Sequence, residues 1–142
     1  MNENGALLND IYRLSQAAEY TIRRIHRYVR DDTLVKHFAV MREAYQSLNL
    51  QALQMLNRYG IKERDIKGVR RYCLRTRVRW KLLRASSPAE IARLLLYQST
   101  DCMVRLLQDL RVCQSAHPDA RSIAQKMLHI EELNLAQLKT YI

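Results

Sequence analysis

Turn-forming residues are scarce in this chain. Its 142 residues include only three glycines and two prolines. A many-stranded sheet or barrel needs a turn about every 8–12 residues, so this supply argues against that class and favours a few long helices. There is no run of about 18 apolar residues, and no transmembrane helix is expected. The opening MNENGALLND has neither the basic n-region nor the apolar h-region of a secretory signal. Cys73, Cys102 and Cys113 are an odd set without a CxxC spacing. They read as reduced, mostly buried thiols of a cytoplasmic protein, not as a disulfide framework or a zinc site. A Gly-rich phosphate loop and a nucleophile elbow are also missing. No motif names a reaction, and a non-enzymatic role is the expectation.

What is present is apolar residue at helical spacing. Apolar residues make up 48% of the chain and charged ones 27%, a globular balance, and the length suits one domain over residues 1–142. In the first segment Leu8, Ile11, Ala18, Ile22, Ile25 and Val29 predict a helix ending near Asp31 and Asp32, with Ser15 interrupting the stripe. Those two acids suit the start of the next helix. There Leu34, Phe38, Met41, Tyr45, Leu48, Ala52, Met55 and Tyr59 step by four and three, and Gly60 follows as a stop. Ser87, Pro88 and Glu90 form a capping box for a helix through Ile91, Leu95, Leu96, Cys102, Met103, Leu106, Leu110 and Cys113. Leu94-Leu95-Leu96-Tyr97 is apolar on nearly all sides, as two-sided burial or a homodimer contact would require. After Pro118 a last helix carries Ile123, Ala124, Met127, Leu128, Glu131, Asn134, Leu135, Leu138 and Tyr141 on its stripe.

The net charge of +10 sits in one place. From Arg58 to Arg84 there are eleven Lys or Arg against two acids, Glu63 and Asp65, so this segment carries +9 of it. Within it Ile66, Val69, Cys73, Thr76, Trp80 and Leu83 repeat at helical spacing and predict a fifth, crossover helix over the basic connector 58–87.

That layout, two helical pairs joined by a long basic crossover, resembles the ferritin-like superfamily. More narrowly it resembles a small bacterial four-helix family known mainly as a ferritin-like domain of unknown function. The likeness is carried by LLNDIYRLSQAAE, by DDTLVKHF and by RTRVRWKLLRASSPAEI. It implies an all-α, ferritin-like up-down four-helix bundle with a basic crossover helix between helices 2 and 3. It also implies a di-metal site, which such proteins build from a Glu on each of two helices and a Glu-x-x-His on each of the other two. Here Gln46 stands three residues after Glu43, and Asn134 three after Glu131, so both histidines are replaced. The expectation is a degenerate, non-catalytic site in an interaction or stress-associated module, without a cofactor. If Fe, Mn or Zn is bound, the ligands expected are Glu19, Glu131, Asp101 and Asn134.

Each of these residues also has a plainer reading. Glu131 on an apolar stripe reads as a core-edge carboxylate hydrogen-bonded to a tyrosine, to Ser15 or to an arginine of a facing helix. Asp101 shares a polar strip with Gln98, Arg105 and Gln108, and pairing with Arg105 at i+4 explains it. His26, His37, His117 and His129 are scattered and read as surface or boundary residues. The strongest binding signal is the basic segment: Arg70, Arg71, Arg75, Arg77, Arg79, Lys81 and Arg84 are suited to nucleic acid or another polyanion. Trp80 lies on the apolar stripe, where packing competes with base stacking. The plain alternative is a solvated crossover helix.

Overall fold

The computed structural model describes residues 2–63 and 87–142, and among these every regular element is helical. Helix α1 spans Glu3–Ile25 and runs into a 3₁₀ turn at His26–Tyr28; α2 spans Asp32–Arg58, α3 Pro88–Val112 and α4 Pro118–Lys139. The expected crossover helix, with its stripe and all seven candidate polyanion-binding cations, lies outside the described residues. No helix of the described residues is long and apolar enough to cross a membrane.

The helix ends follow from local chemistry. Asp31 caps α2, its Oδ1 accepting from Leu34 N at 2.9 Å, and to do so it adopts an extended backbone with ψ 118°. The chain must therefore leave the helical conformation before Asp31, and α1 stops at Ile25, earlier than the stripe predicts. Val29 nevertheless remains buried. At the other end of α2, Gly60 has φ +67°, Gly60 N donates to Asn57 O at 3.1 Å and Ile61 N to Leu56 O at 2.9 Å. This is the paired bonding that closes a helix through a left-handed glycine. It turns Ile61 onto Gly5 of α1, where an added Cβ would lie 3.3 Å from an Ile61 methyl. Ser87 Oγ accepts from Glu90 N at 3.2 Å, and Pro88 opens α3 as the capping box predicts. Helix α3 ends under Arg121 of α4, whose guanidinium donates to Leu110 O and Cys113 O at 2.8 and 2.9 Å.

The buried face of α2 is Leu34, Phe38, Met41, Tyr45, Leu48, Ala52 and Leu56. The predicted seam holds as far as Ala52 and then moves from Met55 to Leu56. A straight helix has 3.6 residues per turn, so a 3.5-residue seam drifts about 20° per heptad. By the last turn the core direction has reached the neighbouring residue. On α3, Leu95 faces the core while Tyr97 stands 54% exposed.

Polar contacts between helices fix the topology. Arg42 of α2 meets Glu19 of α1, and Asn49 meets Tyr12 and Ser15, so α2 runs antiparallel to α1. Gln98 meets Thr21, Arg105 meets Asp10 and Ser115 N meets Glu3, so α3 is antiparallel to α1 as well. Consequently α2 and α3 run parallel, and the chain ends at Lys62 and Ser87 lie at opposite ends of the bundle, about 37 Å apart along a 25-residue helix rising about 1.5 Å per residue. Helix α4 returns antiparallel to both. Gly60→Ala should destabilise the protein by about 1–2 kcal/mol through the left-handed backbone alone, since no atom lies within 4 Å of the added Cβ. Urea denaturation should show this loss, with Gly60→Asn retaining more stability than the alanine.

Candidate functional site

The middle of the bundle is built around Glu131. It lies on the core face of α4 and is 1% exposed. The Tyr45 hydroxyl of α2 donates to Glu131 Oε1, and Asn134 Nδ2 donates to the Tyr45 oxygen at 3.0 Å. Ser99 of α3 lies beside both the carboxyl and the phenol, and Glu131 Oε2 is buried with no hydrogen-bond partner among the described residues. The tyrosine partner anticipated for Glu131 is thus Tyr45, a residue the sequence placed only on the apolar seam. Ser99 falls on the α3 stripe between Leu95 and Cys102, and that position is the signal that could have revealed it.

Burial raises the Glu131 carboxyl from 4.5 to about 7, and Ser99 and Tyr45 offset only part of that. Burial also pushes the Tyr45 phenol and the Cys102 thiol upward, with the Glu131 charge adding to both. Neither is a nucleophile at neutral pH. Beside the carboxyl is a cavity of about 40 Å³ that Asp101, Gln98 and Cys102 also line. It has room for ordered water but not for a substrate.

Of the other expected ligands, Asp101 lines the same cavity and Asn134 shares the Tyr45 hydroxyl with Glu131, while Glu19 lies in a different groove. Glu19 is held by Arg42 at 2.9 Å and by Gln46 Nε2 at 3.4 Å, in a polar groove between α1 and α2. Asn134 is engaged by Tyr45. Asp101 lines the small cavity but is itself exposed. Among the described residues no three of His, Cys, Asp and Glu are grouped so as to hold a metal ion. Glu43 and His129 are exposed, as their helix positions implied.

A second polar cluster was not anticipated. Asp10 of α1 has a side chain only 6% exposed and takes a bidentate pair from Arg105 of α3, at 2.8 and 2.9 Å. The expected partner of Arg105 was Asp101; the pair with Asp10 reaches across to another helix. Arg105 stands four residues from both Asp101 and Asp109, and the spacing rule cannot choose between them. Asp10 wins because a buried carboxylate needs a partner while Asp101 is solvated. Asp109 lines the same cleft as Asp10 and Arg105, and its carboxyl is raised, chiefly by burial.

A raised carboxyl gives a definite sign. Between its ordinary value of 4.5 and about 7, folded Glu131 keeps a proton that the unfolded chain has released. Stability should therefore fall as pH rises through that window. Glu131→Gln keeps an acceptor for Tyr45 and removes the titration. Its stability relative to the parent should rise by about 3 kcal/mol from pH 4.5 to above 7, measured by urea denaturation at each pH. Comparison with protein-family models, with curated proteins and with solved structures returned no match.

Proposed function

We propose that the protein is a ferritin-like bundle whose midplane serves structure instead of metal chemistry, and that it acts as a non-catalytic interaction module. The observation that carries this reading is the environment of Glu131, whose carboxyl is buried, accepts from the Tyr45 hydroxyl and is raised to about 7. A ligand carboxylate must be ionised, and both burial and the Tyr45 bond compete with a metal for this one. The parallel α2 and α3 support the ferritin-like assignment, since that architecture uses one long crossover connection. Elemental analysis of the purified chain should find well under one Fe, Mn or Zn per molecule. About two per chain would overturn the reading.

A second reading names the kind of partner. The segment Arg58–Arg84 carries +9 of the net +10, and such segregation favours a polyanion, with nucleic acid as the probe. Binding to mixed nucleic acid should be tight at low ionic strength and weaken steeply with salt. Replacing Arg75, Arg77 and Arg79 together with Gln should weaken it and reduce the salt slope by about three, with the circular dichroism of the bundle unchanged. Negligible binding at low ionic strength would sink this reading and leave the first intact.

A further inference from the structure

We propose that α3 pairs, antiparallel, with α3 of a second copy of this chain, through the side that faces away from the bundle core. The core side of α3 carries Ile91, Leu95, Ser99, Cys102 and Leu106. Half a turn away, Arg93, Tyr97, Thr100, Val104, Leu107 and Arg111 recur at steps of four and three, which puts them on one stripe of the helix. Tyr97 is 54%, Val104 49% and Leu107 52% exposed. A single exposed apolar side chain is ordinary on a monomer. Here three share one stripe, and half-buried Leu96, Met103 and Leu110 extend it toward α4. By contrast, Val40 and Leu50 leave α2 in different directions and Leu133 stands alone on α4.

The charges along the stripe point to the occupant. Glu90 and Asp101 balance Arg93 and Arg111, so this face is neutral on a chain of net charge +10. All four are exposed, and among the described residues none is in an ion pair. Their order is self-complementary about the midpoint between Thr100 and Asp101. Turned end for end, the stripe sets Glu90 against Arg111 of the second copy and Tyr97 against Val104 of the second copy, each twice by symmetry. Leu107 comes level with Leu94. A two-fold contact requires this matching of a surface with itself. The neutral face lets two basic chains meet without opposing like charges, except for the two Asp101 side chains near the axis. From Glu90 to Arg111 the stripe is about 32 Å long on a helix about 10–12 Å across, a footprint on the order of 350 Å² per copy. A standard interface covers about 800 Å² per partner, so the pairing is a weak, reversible one.

Sedimentation equilibrium of the full chain tests this, with nucleic acid removed and salt high enough to screen the net charge. The mass should rise from one chain toward two between micromolar and millimolar concentration. Val104→Glu should hold the protein as a single chain with its circular dichroism unchanged. Leu133→Glu, equally exposed but off the stripe, should dimerise like the parent. Asp101→Asn removes the like charges near the axis and should tighten the dimer about two- to fivefold, while Arg111→Glu opposes Glu90 and should weaken it roughly tenfold. A single chain at every concentration, the result if the stripe is covered from within the chain or left to solvent, overturns the proposal. So does a dimer that Val104→Glu leaves intact, one that Leu133→Glu disrupts equally, or one that the Asp101 and Arg111 variants do not shift in these opposite directions.

Discussion

Helix α1 is the element on which the other three are registered. From Leu7 to Tyr12 every residue is buried, polar Asn9 and Asp10 included. A helix buried all round cannot be positioned by an apolar stripe alone, because such a stripe tolerates sliding and rotation. Its register comes from polar pins on two sides: Glu19 with Arg42 and Ser15 with Asn49 toward α2, Asp10 with Arg105 and Thr21 with Gln98 toward α3. At its N-terminus Glu3 and Asn4 accept from Ser115 N and His117 N and hold the α3–α4 turn. The parallel course of α2 and α3, and with it the need for a connection that traverses the bundle, follows from these pins.

The interior acids follow from the same constraint. A bundle that buries carboxyl groups must pair them, hydrogen-bond them or leave them protonated. These solutions are visible here: Asp10 is paired with Arg105, Glu131 is hydrogen-bonded by Tyr45 and raised, and Asp109 is pushed toward its protonated form by burial. Such groups contribute little net stability, since desolvation offsets most of what the contacts return. They do penalise any packing that strands them. Rotating α4 by one residue would remove Glu131 from Tyr45 and Ser99 and leave a carboxyl in an apolar core. Specificity of arrangement is therefore what these residues supply to the fold.

Helix boundaries written in short-range chemistry were legible in the sequence. The Ser87-Pro88-Glu90 box, Gly60 and the Leu34–Ala52 seam each depend on residues within a few positions, and each is where it was expected. The end of α1 was misjudged because Asp31 is committed to capping the next helix, which a stripe extending to Val29 conceals. The site was legible only in part. The position of Glu131 on an apolar stripe announced a buried carboxyl with a partner, but Tyr45 lies 86 residues away, and eight tyrosines offered no means of choosing among them. The Asp10–Arg105 pair spans 95 residues. Arg105 had two acids at helical spacing and bonds most closely to a third, because burial decides which acid most needs the cation. One-dimensional spacing carries no information on burial of that kind.

The fate of the acids also bears on the basic segment. The formal charge of +10 counts every carboxyl as ionised. Burial raises both Asp109 and Glu131 and so works toward a more positive count. Asp10 and Glu19 are already matched to arginines of the helices. The acids that the interior consumes are thus unavailable to neutralise Arg58–Arg84, whose own two acids leave it at +9. A positive field of that size, attached to a bundle whose remaining charges nearly cancel, is a source of long-range attraction for anions and of repulsion between copies of the chain. Burial of acids in the bundle thus works in the same direction as the segregation of cations in the sequence: both leave fewer solvent-exposed carboxylates to offset the net positive charge.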